Sequence, residues 1–333
     1  MKQIFYFIAL LLACVALTSC GGLNLLTFDQ MDAAEYNFPS SIKRVAVVNT
    51  LPVVNYSDDK VELEERMLGD GQVAAESLAK AIADAHYFDE VVIADSLTGL
   101  SVMKGKKQAL SPDEVQTLSA DLNVDMLIAV EYLGIKNRLD YFYLPEFIEP
   151  VHAIHATVST VLRTYVPEKE KPLYTVVKRD SAIWDLSMPL TPEGFIKEAS
   201  ELGAIASVNS LVPHWKQTHR YYYDGSMVAM RDAGVFVREN NWEDAAALWK
   251  SLYDKKKKGA QAMKAAYNLA LYCEMTDRID EACQWIDKAV ALAKPGSSDQ
   301  SYAKLYQQTL YERQQKITRL NIQMQRFDEI FDE

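Results

Sequence analysis

Leu110–Val130 reads LSPDEVQTLSADLNVDMLIAV, and its two halves obey different periods. Ser111 is an N-cap residue type, Pro112 suits a first helical turn, Glu114 completes a capping box and Leu110 can staple onto Val115; a helix therefore starts here and runs to about Leu122. Val124 to Leu133 follows with Met126, Leu127, Ile128, Ala129 and Val130 in an unbroken apolar run, which predicts a buried strand. Upstream the same pattern occurs twice in short form. Val45-Ala46-Val47-Val48 and Val91-Val92-Ile93 are β-branched runs bounded by polar residues, and Gln72 to Tyr87 between them places Val73, Leu78, Ala81, Ile82 and Ala85 at helical spacing behind the cap Asp70. Strands joined by helical crossovers must be parallel, so these three strands form the parallel part of one sheet.

Downstream the alternation changes to that of a hairpin. His152 to Val166 sets Ile154, Ala156, Val158, Thr160 and Leu162 on one face, Pro167 to Pro172 is a polar turn, and Leu173 to Asp180 returns as the partner strand. Thr191 then caps a helix with Pro192 in its first turn, which ends near Pro213. Its Ala199, Gly203, Ser207 and Ser210 form a small-residue face able to approach a sheet closely. Residues 41–215 thus read as a mixed-sheet α/β domain in the order β-α-β-α-β-β-β-α.

Residues 216–330 read as all-α. Ala233, Phe236, Asn240, Trp242, Ala245, Trp249 and Leu252 recur 37 residues later as Ala270, Cys273, Asp277, Ile279, Ala282, Ile286 and Ala289. The spacing resembles the tetratricopeptide repeat, with extra length in the Lys255–Lys258 connector. Ala245 and Ala282 match that family's small position where paired helices touch, and Asn240 and Asp277 occupy its turn glycine, where a left-handed backbone is needed. Ala229 and Ala266 stand where the family has Trp, and neither unit ends in Pro. Ser301 to Phe327 predicts one long terminal helix. The resemblance implies a concave groove lined by Met230, Val237 and Arg238 from one unit and Tyr267, Leu271, Glu274 and Met275 from the next, suited to a hydrophobic peptide or helix. The alternative is that the terminal helix or the α/β domain fills that groove.

At the other end, Lys2 is followed by an apolar segment to Leu17 and then Thr18-Ser19-Cys20-Gly21-Gly22, a secretory signal too short to span a bilayer. The order Leu17-Thr18-Ser19-Cys20 resembles the lipobox of bacterial lipoproteins. That resemblance implies a signal over 1–19, acylation of Cys20, a tether over 20–40, and a body lipid-anchored to the outer membrane and facing the periplasm.

A net charge of −11 repels nucleic acid and anionic lipid, so the expected partner is an envelope protein or peptide. The sequence holds no Walker loop, zincin helix or nucleophile elbow, which favours a non-enzymatic chain with no cofactor and no metal. His152 and His155 lie three apart in a strand, hence on opposite faces rather than converging on a metal. His214 and His219 sit near a predicted helix end, where they stabilise its carbonyls. Asp58, Asp59, Glu62, Glu64 and Glu65 read as a solvated acidic face, and pairing of Cys273 with Cys283 stays open. The aromatic stretch Leu139 to Ile148, with Tyr141, Phe142 and Tyr143, is either an exposed binding surface or core folded back.

The strands Val45–Val48, Val91–Val92 and Val124–Ile128, with the helix holding Glu76-Ser77-Leu78-Ala79, resemble the amino-terminal domain of the Tol-Pal translocation protein and related domains of curli-secretion and peptidoglycan-synthase-activating lipoproteins. The implied function is an adaptor lipoprotein that recruits or regulates an envelope protein. The rivals are an accessory regulator of a cell-wall or secretion enzyme acting through the α/β domain, and a hydrolase with a dispersed site.

Overall fold

A computed structural model describes residues 22–54, 56, 66–94, 109–142, 150–186, 190–225 and 227–328. The chain divides into an α/β unit, Ala33–His214 with Leu320–Glu333, and a helical unit, Met1–Asp32 with Trp215–Arg319.

β1 (Gly22–Asp32) belongs to the helical unit; in the α/β unit β2 (Arg44–Asn49), β3 (Arg66–Leu68), α1 (Gly71–Asp84), β4 (Glu90–Ala94), α2 (Pro112–Leu122), β5 (Met126–Phe142), β6 (Val151–Tyr165), β7 (Tyr174–Asp185) and α3 (Pro192–Leu211) follow one another. The sheet runs β4-β2-β5-β6-β7, with β3 beside β5. β2 is parallel to β4 and β5, and β5, β6 and β7 are antiparallel, as the crossovers and the hairpin require. Beyond the expected order the structure adds β3, and it carries β5 and β7 well past their predicted ends. The three predicted caps are present: Asp70 accepts from Gln72 and Val73, Thr191 from Gly194, and Ser111 and Glu114 bond reciprocally.

The core explains the one irregularity of β5. Met126, Ile128 and Val130 face α1 and α3, and beyond a bulge between Val130 and Tyr132 the same face is supplied by Leu133 and Ile135. One inserted residue flips side-chain parity, so the bulge keeps both halves of the strand buried on the same side. The inserted Glu131 is buried and bonded to Tyr165 and Arg163. The small-residue face of α3 meets the sheet as expected. A Cβ on Gly203 would lie 2.6 Å from Val158 Cγ1, and Thr160 Oγ1 donates to the Gly203 carbonyl at 3.0 Å. α2 packs the opposite face through Val115, Leu118 and Leu122 against Ala46, Val48, Leu127 and Ala129.

The helical unit contains β1 (Gly22–Asp32), β8 (His214–Asp224), α4 (Val228–Arg238), α5 (Trp242–Lys256), α6 (Gly259–Met275), α7 (Ile279–Leu292) and the first two-thirds of α8 (Ser298–Asp328). α4/α5 and α6/α7 are the two helix pairs anticipated from the repeat. Asn240 and Asp277 take φ of 57° and 55°, and Ala245 and Ala282 are fully buried. Cys273 and Cys283 are free thiols, and burial raises the Cys273 pKa to about 11.

Three sequence readings change. Residues 22–32 are not tether but a strand paired with β8. His214 and His219 lie on β8 rather than at a helix end, and His219 Nδ1 meets Thr27 Oγ1 at 2.9 Å. The boundary at 215 also understates the exchange of segments, because β1 belongs to the helical unit and residues 33–40 and the end of α8 belong to the α/β unit. There Gln323 accepts from Ala34 N and donates to the carbonyls of Ala34 and Tyr36, and Arg326 donates to the Tyr87 carbonyl and lies over its ring. Cys20, Tyr143 and the acidic run from Asp58 to Glu65 lie outside the described residues.

Candidate functional site

The groove of the helical pairs is occupied by the chain itself. β8 lies in it, its backbone held by one side chain of α6: Asn268 Oδ1 accepts from Tyr223 N at 2.8 Å, and Nδ2 donates to Tyr223 O at 2.7 Å. A primary amide offers one acceptor and one donor in a plane, so it pairs with an extended backbone as a neighbouring strand would. The next elements of the lining are charged. Glu274 receives Arg220 Nε and Nη2 at 2.9 and 2.7 Å, Arg313 Nη1 at 2.8 Å and the Tyr306 hydroxyl at 2.6 Å. Its side chain is 0% exposed. Burial raises the Glu274 pKa, but the Arg220 bonds and charge, with Tyr306 and Arg313, outweigh it and hold the carboxyl below the usual carboxylate range. Tyr267 is packed between Tyr223 and Tyr306, with ring centroids 5.1 and 5.0 Å away.

Of the seven groove residues expected from sequence, Met230, Val237, Tyr267, Leu271 and Glu274 are therefore buried, Met275 is half-buried, and Arg238 is exposed, bonding Asp224 at 3.3 Å. They do not present an open groove, because β8 and α8 complete the core that the helix pairs leave unfinished. The run from His214 to Asp224 was the missed signal. It is bounded by Pro213 and Gly225 and rich in aromatic residues, and its Arg220 is one of the two cations that answer a buried Glu274.

The aromatic stretch divides. Tyr141 is exposed on β5 with its ring 4.8 Å from His152, and Phe142 ends the strand. His155, on the other face of β6, lies 3.5 Å from Asp140.

A different surface of the α/β unit has the form of a binding site. β7 is a terminal strand of the sheet, with β6 on one side and no strand on the other among the described residues. Along it Val177 and Ile183 are exposed, 68% and 56%. Beside its final residues lies a cleft of about 620 Å³, lined by Ala182, Ile183, Trp184 and Asp185 of the strand and by Leu190, Glu198 and Leu202. Trp184 forms its wall, donating Nε1–H to Glu198 at 2.7 Å and packing edge-on to Phe195 at 5.1 Å. An apolar hollow with the carboxylates Asp185 and Glu198 in its lining, next to a strand edge with no strand partner among the described residues, can take an extended peptide: its main chain adds to the edge and an apolar side chain enters the cleft. Sequence reasoning missed it because the lining comes from two elements, with the strand half lying past the predicted end at Asp180. The middle of β7 is guarded by Lys178, Arg179 and Asp180, with Lys178 paired to Glu35, the usual protection of an edge.

Residues 42–223 match a family described as a domain of unknown function, DUF8603, and residues 231–312 match a second such family, DUF6340. No curated protein matches the chain. Among solved structures it is similar to the PelC dodecamer from Paraburkholderia phytofirmans, at 12% identity and TM-score 0.23 over 55% of this chain and 99% of that one. The hypothetical protein CT253 from Chlamydia trachomatis is similar at 15% identity and TM-score 0.25, over 50% and 96%. Neither likeness carries an argument about function.

Proposed function

The chain belongs to the family of the domain of unknown function DUF8603, and we propose that it is a non-enzymatic adaptor lipoprotein, anchored in the outer membrane through acylated Cys20 and facing the periplasm. It docks an extended segment of an envelope protein on the edge of β7. The observation that carries this reading is the apolar cleft beside a strand edge that has no strand partner among the described residues, where Ile183 and Val177 stand exposed. The tetratricopeptide-like helical unit serves in this reading as a body completed by its own strand. A second reading, regulation of a cell-wall or secretion enzyme through the α/β unit, uses the same surface. The filling of the helical groove by β8 favours it over capture by the repeats.

A photo-crosslinking amino acid at Ile183, in cells producing the full chain, should give a discrete adduct with an envelope protein, and the same reporter at half-buried Thr157 on β6 should not. Absence of an adduct at Ile183 in a folded, membrane-bound chain refutes docking at this edge. Intact mass of the purified chain tests the anchor separately.

A further inference from the structure

Close to where the described chain begins, the β1–β8 ribbon turns an apolar pair outward, ahead of Thr27, Asp29 and His219 on the same exposed face. Gly22 lies against the Asp224 carbonyl and Thr27 bonds His219, so the strands are antiparallel and Leu25 stands opposite Tyr221. Both are exposed, 56% and 41%. The Tyr221 ring lies 5.7 Å from that of Tyr302 at the start of α8, itself 37% exposed. Leu305, 61% exposed, is three residues further on and shares that helix face. The patch therefore joins two leucines and two tyrosines from three elements, all within the helical unit.

What covers it is indicated by chain length. Cys20 is two residues before Gly22, a reach of at most about 7 Å, and Gly22 to Leu25 is about 10 Å of strand. Because β1 is hydrogen-bonded to β8 from Gly22 on, no slack segment separates an anchor at Cys20 from this face.

Resting on the reading of Cys20 as acylated, we propose that this patch is the surface of the helical unit that lies on the bilayer. Leu25 and Leu305 enter the boundary between headgroups and acyl chains, which such faces penetrate by about 5–10 Å. Tyr221 and Tyr302 keep their hydroxyls at headgroup level with their rings below, the placement an amphipathic ring favours. Exposed Lys304, between Tyr302 and Leu305 in the chain, supplies a cation for lipid phosphate against the overall negative charge.

The test uses the full chain purified from membranes and reconstituted in phosphatidylethanolamine–phosphatidylglycerol vesicles, with benzoylphenylalanine at Tyr221, at Tyr302, or at Lys257. Lys257 is exposed at the C-terminal cap of α5, in the connector before α6 and outside the patch. Phospholipid adducts at Tyr221 and Tyr302, and their loss at Lys257, are expected. Acylated protein that gives no lipid adduct at either tyrosine, or gives adducts with a second copy of the chain instead, overturns the bilayer-facing patch and leaves the anchor standing. An intact mass without acyl chains overturns both.

Discussion

Replacing Glu274 by Gln removes the charge from the centre of the helical unit while keeping its shape. The carboxylate accepts four hydrogen bonds, three from guanidinium groups, and Arg220 and Arg313 are only 9% and 13% exposed. With Gln in place, buried Arg220 loses its counter-charge, half-buried Arg313 keeps only Asp277 at 3.3 Å, and the amide NH₂ must face a donor. Breaking one member of such a buried network costs about 3–5 kcal/mol, against about 5–15 kcal/mol for the stability of a whole domain. The assay is urea denaturation followed by tryptophan fluorescence, since Trp215, Trp242, Trp249 and Trp285 belong to the helical unit and Trp184 alone to the other. The effect has a pH signature. Because the folded carboxyl is held below its unfolded value, its contribution is fully present above about pH 4.3, the ordinary Glu value, and is lost as pH falls through the folded pKa. The difference between wild type and Glu274→Gln should therefore be constant near neutrality and shrink in acid. A neutral-pH loss below about 1 kcal/mol, the scale of an exposed ion pair, would refute the claim that this network holds the unit together.

Asn268→Leu keeps volume but strips both partners from the Tyr223 backbone, and at about 1–3 kcal/mol for each buried group left unbonded the helical unit should weaken and the Tyr223 amide should lose its hydrogen-exchange protection. Gly203→Ala drives a methyl to within 2.6 Å of Val158, so the α/β unit should lose about 1–3 kcal/mol by overpacking. Calorimetry that finds this variant unchanged would mean that α3 shifts freely on the sheet.

Local signals were legible and distant ones were not. The caps at Asp70, Ser111 and Thr191 each depend on residues at most three apart, and the left-handed turns at Asn240 and Asp277 on a repeat that writes the same turn twice. β1 escaped because nothing near Gly22–Asp32 announces it, its partner lying 192 residues away at the Thr27–His219 pair. The candidate groove failed for a related reason. Met230, Tyr267 and Leu271 do face one side of their helices, but sequence alone does not say that β8 and Tyr306 cover that side. The β7 cleft needed tertiary structure outright, because neither Trp184 nor Leu202 forms a hollow without the other's element.

The separation of β1 from β8 has a consequence for how this chain matures. The ribosome releases β1 long before its mate exists, and closing a loop of that length costs about 2 kcal/mol more entropy than closing one a tenth as long. The α/β unit removes most of that cost by folding in between, since it brings the Tyr36 amide to within 3.1 Å of the Ser210 carbonyl and so delivers both ends of the ribbon to neighbouring points. The chain between the two strands thus shortens the effective loop that their pairing closes, and a strand made near the start of the chain pairs only after its distant mate has been made.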